Sequence, residues 1–133
     1  MPGLDTSVLV RWLVEDDPVQ TAAVGRVFRA AIADGRPLFV PTTVMLELEW
    51  VLRSRYRFDK DTVLGTFNAV LETQELQFQD EASLEQAIHR YRETKADFAD
   101  CLHAGACASV GRIPLLTFDE KAARLPDVEL LIS

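Results

Sequence analysis

Residues 114–125 read PLLTFDEKAARL. PLLTF is the clearest strand of the chain, a short apolar run behind Pro114. Asp119 closes it, and EKAARL follows as a short helix. A strand that ends on an acid and passes at once into a helix is the repeating step of an α/β chain. The same step can be traced outward. VELLI (128–132) is a final strand. Upstream, ELQFQ (75–79) alternates Leu76 and Phe78 with polar residues, and PLFVP (37–41) is a compact buried strand. A very short first strand ends at Leu4, just before Asp5, Thr6 and Ser7.

Helical patterns fill the intervals. LVRWLVED begins a helix after Ser7 that Asp16, Asp17 and Pro18 break, and a second runs over residues 19–35. Thr42 or Thr43 is placed to cap VMLELEWVLRSRY (44–56), with Pro41 marking its approach. Further helices are expected over 60–73, 81–93 and 97–110, the last ended by Gly111. Alternating strands and helices predict a parallel sheet covered on both faces, in a single domain over residues 1–133. Ligands of such sheets gather beyond the carboxyl ends of the strands. Asp5 and Asp119 both lie at those ends.

Composition narrows the class. With 133 residues and 48% hydrophobic content, the chain can build a real core and is not a disordered or low-complexity segment. No apolar run approaches the roughly 20 residues that span a bilayer. The first apolar stretch carries Asp5 and Arg11 without a basic leader, so a signal peptide is not expected and a cytoplasmic location is. Cys101 and Cys107 lie about 240° apart around a helix and form neither a disulfide framework nor a CxxC site; both read as buried thiols. A net charge of −7 opposes a generally basic nucleic-acid surface. A local patch remains available in Arg53, Arg55 and Arg57, with Arg11 and Lys121 as additions, although arginines also suit a solvated helix C-terminus.

Four acids carry the chemistry. Asp5 and Asp119 each precede a helix, so each serves equally as an N-cap or as a metal ligand. Glu47 has Val44, Leu48 and Val51 at i−3, i+1 and i+4, which puts it on or beside the buried stripe. A carboxylate there must be paired, protonated or bound to a cation, and the cation is preferred. Glu49, with Arg53 four residues on, reads as an exposed ion pair. Asp97 and Asp100 share one helical face; Asp97 fits the N-cap, and Asp100, at N3, is the better ligand. Carboxylates collected from distant segments suit a hard divalent cation such as Mg²⁺ or Mn²⁺. His89 and His103 form no zinc pattern and read as structural or surface residues. Trp12 and Trp50 read as core or interface residues rather than base-stacking platforms.

Taken in order, LDTSVLVRWL, the glutamate of VMLELEWVL, ADFADCLHA and LLTFDEK resemble the PIN-domain family, and within it the VapC-type toxins of bacterial toxin–antitoxin pairs. The resemblance covers essentially the whole chain. It implies an α/β fold of three α/β/α layers around a central parallel sheet of about four to five strands. It implies an RNA-cutting enzyme whose Asp5, Glu47, Asp100 and Asp119 gather around Mg²⁺ or Mn²⁺. Asp97 matches an additional acidic position, and Thr6 and Thr117 match hydroxyls beside the site. It also implies a small antitoxin partner and a homodimer or larger assembly.

The expected chemistry is endonucleolytic RNA cleavage by metal-activated water, with Glu47 either completing the ligand shell or orienting the water. Two rivals come from other classes. A haloacid-dehalogenase-type phosphatase needs a second aspartate two residues after the first, where this chain has Ser7. A non-catalytic RNA-processing or interaction module would use the acids as helix caps alone.

Overall fold

The computed structural model describes residues 1–132 and resolves into two compact units, Met1–Gln79 and the residues from Asp80 onward. The first unit runs α1 (Thr6–Val14), α2 (Pro18–Asp34), β1 (Leu38–Val40), α3 (Thr42–Ser54), α4 (Lys60–Leu71) and β2 (Leu76–Phe78). Aspartates start three of its helices. Asp5 accepts from the Val8 amide, Asp17 from Val19 and Gln20, and Asp59 from Thr62, each meeting part of the unpaired donor set of a helix start. Pro18 occupies the first turn of α2, where its missing N–H costs nothing. Helix α3 is the exception. It starts at Thr42 behind Pro41 with no side-chain cap, so neither threonine takes that role; Gln79 Oε1 instead accepts from the Thr42 amide at 3.1 Å.

β1 and β2 pair in parallel, Leu38 opposite Leu76 and Val40 opposite Phe78, and all four side chains are buried. The N-terminal segment continues this ladder on the other side of β1: Leu4 donates to Phe39 O and Phe39 to Pro2 O, both at 2.8 Å. Leu9 of α1, Met45, Leu48 and Leu52 of α3, and Val63, Phe67 and Val70 of α4 are completely buried and form this unit's core. Trp12 stacks on Phe28 at 4.8 Å between ring centres.

The second unit holds α5 (Glu81–Glu93), α6 (Phe98–Ser109), β3 (Leu115–Thr117), a single 3₁₀ turn at Ala122–Arg124, and β4 (Val128–Leu130). β3 and β4 are parallel, with Leu115 opposite Val128. Helices α5 and α6 pack closely because α6 presents Gly105 to α5. A Cβ on Gly105 would stand 2.8 Å from the Ser83 carbonyl oxygen. Tyr91 meets Phe98 edge to face, and Ser83 Oγ bonds Ser109 Oγ at 2.8 Å.

Helix-rich α/β architecture with parallel strand pairing is thus what the sequence predicts. The named strands are three residues each, joined as two separate pairs, so each ladder is narrower than the expected sheet. Prolines are one physical reason: Pro37 and Pro41 bracket β1, Pro114 precedes β3 and Pro126 precedes β4, and a proline has no N–H to extend a ladder. No helix among the described residues is long and apolar enough to cross a membrane. Cys101 and Cys107 are free thiols, the first buried and the second half-buried.

Candidate acidic site

In the first unit the chain brings Asp5, Thr6 and Glu47 to one pocket of about 310 Å³, together with Arg11, Trp50 and Arg55. Asp5 sits here because it caps α1. Its Oδ1 accepts from Ser7 Oγ at 2.7 Å and from the Val8 amide at 3.1 Å. The Ser7 hydroxyl first, then the Val8 amide, hold its carboxyl below the usual carboxylate value against a small opposing effect of burial. Thr6 is buried, and its Oγ1 donates to Glu47 Oε1 at 2.5 Å, tying the start of α1 to the second turn of α3.

Glu47 is exposed, not part of the buried stripe, which corrects the argument from its neighbours. The buried residues of α3 are Val44, Met45, Leu48, Glu49 and Leu52. At about 100° per residue, Glu47 and Glu49 flank Leu48 symmetrically, and Met45 and Leu52 draw the stripe toward Glu49. Glu49 is therefore the buried carboxylate, 5% exposed, and its Oε2 accepts from Arg53 Nε at 2.9 Å. The expected Glu49–Arg53 pair forms, but with the glutamate buried and only the arginine exposed.

The second unit gathers Asp97, Asp100 and Asp119. Asp97 occupies the N-cap position of α6 but makes no side-chain capping bond. Asp100 lies in the first turn of α6, half-buried. Burial raises its carboxyl above the usual value, and the negative charges of Asp119 and Asp97 add to the rise, against smaller opposing effects of His103 and Lys121. Asp119 Oδ1 accepts from the Lys121 and Ala122 amides at 2.8 and 3.1 Å and so caps the 3₁₀ turn. Thr117 Oγ1 accepts from the Asp119 amide at 3.0 Å, which fixes the acid at the carboxyl end of β3. Lys121 Nζ stands 3.5 Å from Asp97 Oδ1, a solvent-exposed pair of small energetic weight.

The capping roles of Asp5 and Asp119 are therefore real. They also fix each carboxylate in place, which a ligand role requires. Among the described residues no group of three or more His, Cys, Asp or Glu side chains is arranged to hold a metal ion. The donor chemistry nevertheless fits a hard divalent cation: all four predicted residues offer carboxylate oxygens, and the crowding that disfavours charge on Asp100 is what a cation relieves.

The five basic residues have different local partners. Arg11 is held by Asp16 and by Gln20 Oε1 (2.8 Å), and Arg53 by Glu49. Arg57 has a left-handed backbone (φ 56°), and Lys121 belongs with Asp97. Arg11 and Arg55 are the two that line the acidic pocket. Trp50 and Tyr56 line it too, and sequence reasoning assigned neither to a site. The available signal was helical spacing, since Trp50 lies three residues after Glu47. A larger hollow of about 550 Å³ in the second unit, beside His89 and Arg90, is lined by none of the predicted acids.

Comparison with known proteins supplies a family for this arrangement. The PIN domain model matches residues 4–128, which takes in all four acids. A VapC ribonuclease of Aquifex aeolicus (strain VF5) is 25% identical over 126 residues, covering 94% of this chain and 92% of the relative.

Proposed function

The chain belongs to the PIN domain family, and from that membership and its fixed carboxylates we propose that it is a metal-dependent endoribonuclease, the toxin of a toxin–antitoxin pair. The gathering of Asp97, Asp100 and Asp119 where β3 ends and α6 begins carries this reading, because burial first, and then the negative charges of Asp119 and Asp97, disfavour charge on Asp100. The name of the Aquifex aeolicus relative supports RNA as the substrate. We read residues 1–133 as one catalytic domain, supported by a family match that runs through both units.

Asp5, Glu47, Asp100 and Asp119 would hold Mg²⁺ or Mn²⁺, with Asp97 as an additional acid. When bound, the cation supplies Lewis-acid stabilisation of the phosphodiester charge and lowers the pKa of water. The protein's own groups then have distinct tasks. Thr6 holds Glu47 in one orientation, so that its second oxygen is aimed consistently. Thr117 and the turn amides do the same for Asp119. Arg55 and Arg11 supply positive charge at the Asp5 pocket, where a phosphate backbone needs it in a chain of net charge −7. A small antitoxin covering the acidic face and a homodimer or larger assembly complete the proposal.

The capping bonds of Asp5 and Asp119 are also what a non-catalytic interaction module would display. One experiment separates the two. Antitoxin-free protein is incubated with total RNA and Mg²⁺ or Mn²⁺, beside an Asp100→Asn variant. Discrete metal-dependent fragments that disappear in the variant are expected. Full activity in a folded Asp100→Asn protein would overturn the site, and the absence of both cleavage and metal binding would favour the interaction module.

A further inference from the structure

Trp50 is 52% exposed, although tryptophan is usually well covered in a folded domain; Trp12, by contrast, is half-buried and stacks on Phe28. It stands on α3 one turn beyond Glu47 and lines the same pocket as Asp5, Arg11 and Arg55. The pocket thus sets a large aromatic face among two guanidinium groups, two carboxylates and the Tyr56 hydroxyl. An amphipathic protein helix would need a continuous apolar groove, and most of the residues lining this pocket are polar or charged. A nucleotide fits it better: a flat base to lie on the indole, and a phosphate to meet a guanidinium. Arg11 is already engaged by Asp16 and Gln20, which leaves Arg55, just past the end of α3, as the better phosphate contact.

The geometry points to a stacking site at Trp50 for one unpaired nucleotide of single-stranded RNA, with Arg55 on its phosphate. This rests on the ribonuclease reading and deepens it, since it selects loops and single strands over duplex. In a duplex both faces of each base are already stacked, and the indole has nothing to receive.

The test uses full-length Asp100→Asn protein, whose substitution lies outside this pocket and prevents cleavage during binding. A short single-stranded oligoribonucleotide, and the same strand paired with its complement, are titrated while tryptophan fluorescence is followed. Quenching by the single strand and little by the duplex is expected. It should vanish in a Trp50→Phe version, because Trp12 is packed on Phe28. A Trp50→Leu version should bind the single strand about ten- to a hundredfold more weakly with an unchanged melting temperature. Unchanged affinity in Trp50→Leu, or equal quenching by duplex, overturns the stacking site and leaves the indole to a protein partner. Cleavage by the wild-type protein is assayed in parallel. No cleavage alongside strand-selective quenching would count against the nuclease reading alone; cleavage alongside unchanged Trp50→Leu affinity would count against the stacking site alone.

Discussion

The Thr6 hydroxyl donates to Glu47 Oε1 at 2.5 Å, joining residues 41 positions apart in sequence. Thr6 is buried and Glu47 exposed, so the bond ties an exposed carboxylate to a buried helix start. Thr6→Val removes the donor and keeps the bulk. Cleavage should fall about tenfold or more, as for other groups that orient a ligand, while Thr6→Ser should retain activity. Initial-rate assays beside thermal melts check this, and a fully active Thr6→Val protein would remove Thr6 from the machinery.

Much of this was legible in the chain itself. The strands at Leu38–Val40, Leu76–Phe78 and Leu115–Thr117 stand where the short apolar runs placed them; Pro37 and Pro41 bracket the first, and Pro114 precedes the third. The helices expected over 60–73 and 81–93 begin where α4 and α5 begin, and the structure shows the Asp59 and Asp80 side chains capping them. What was not legible is rotation. Whether Glu47 or Glu49 turns inward depends on which flank of Leu48 meets the core, and neighbours at i−3 and i+4 leave both glutamates at the edge of the stripe. For Trp50, read as core or interface, exposure excludes the core alone, because an apolar residue on an amphipathic helix gives no sign that its face is left open.

Asp5→Asn separates the two roles that one aspartate holds. Asparagine caps a helix about as well as aspartate, so α1 should form normally and the melting temperature without metal should change little. Its loss of charge should remove cleavage and weaken metal-induced stabilisation. For the wild type that stabilisation should reach about 2.7 kcal/mol at a metal concentration a hundred times Kd. Melts with Mn²⁺ and after EDTA, on both proteins, give the comparison. Equal Mn²⁺ shifts in the two would mean that Asp5 only caps.

Acid sensitivity should be traceable to a cap that is not among the predicted ligands. The side-chain hydroxyl and then the backbone amide of Thr62 hold the Asp59 carboxyl below its ordinary value of 3.8. A carboxyl whose folded value is lowered binds a proton more readily when unfolded. Its contribution is therefore present above 3.8 and is lost as pH falls through that value and on through the lower folded one. The stability difference between wild type and Asp59→Asn should shrink across this descent. Urea titrations at a series of pH values measure it, and a constant difference would show that the charge plays no part.

Two glycines in helices should respond to alanine with opposite signs. Gly105 lies against α5, and a new Cβ would meet Ser83 O at 2.8 Å and the Ala87 amide nitrogen at 3.4 Å. Both contacts are backbone atoms, which cannot turn aside as a side chain can, so the helices must separate. Gly105→Ala should cost about 1–3 kcal/mol, the range for forcing extra volume into a packed interface. Gly65 is exposed within α4, and a Cβ there meets nothing within 4 Å. Gly65→Ala should add about 0.5–1 kcal/mol, because alanine has less backbone freedom to lose and favours the helix. Urea unfolding of the two variants, with similar slopes, measures both changes on one scale. A Gly105→Ala protein as stable as the wild type would mean that α5 and α6 do not pack this closely in solution.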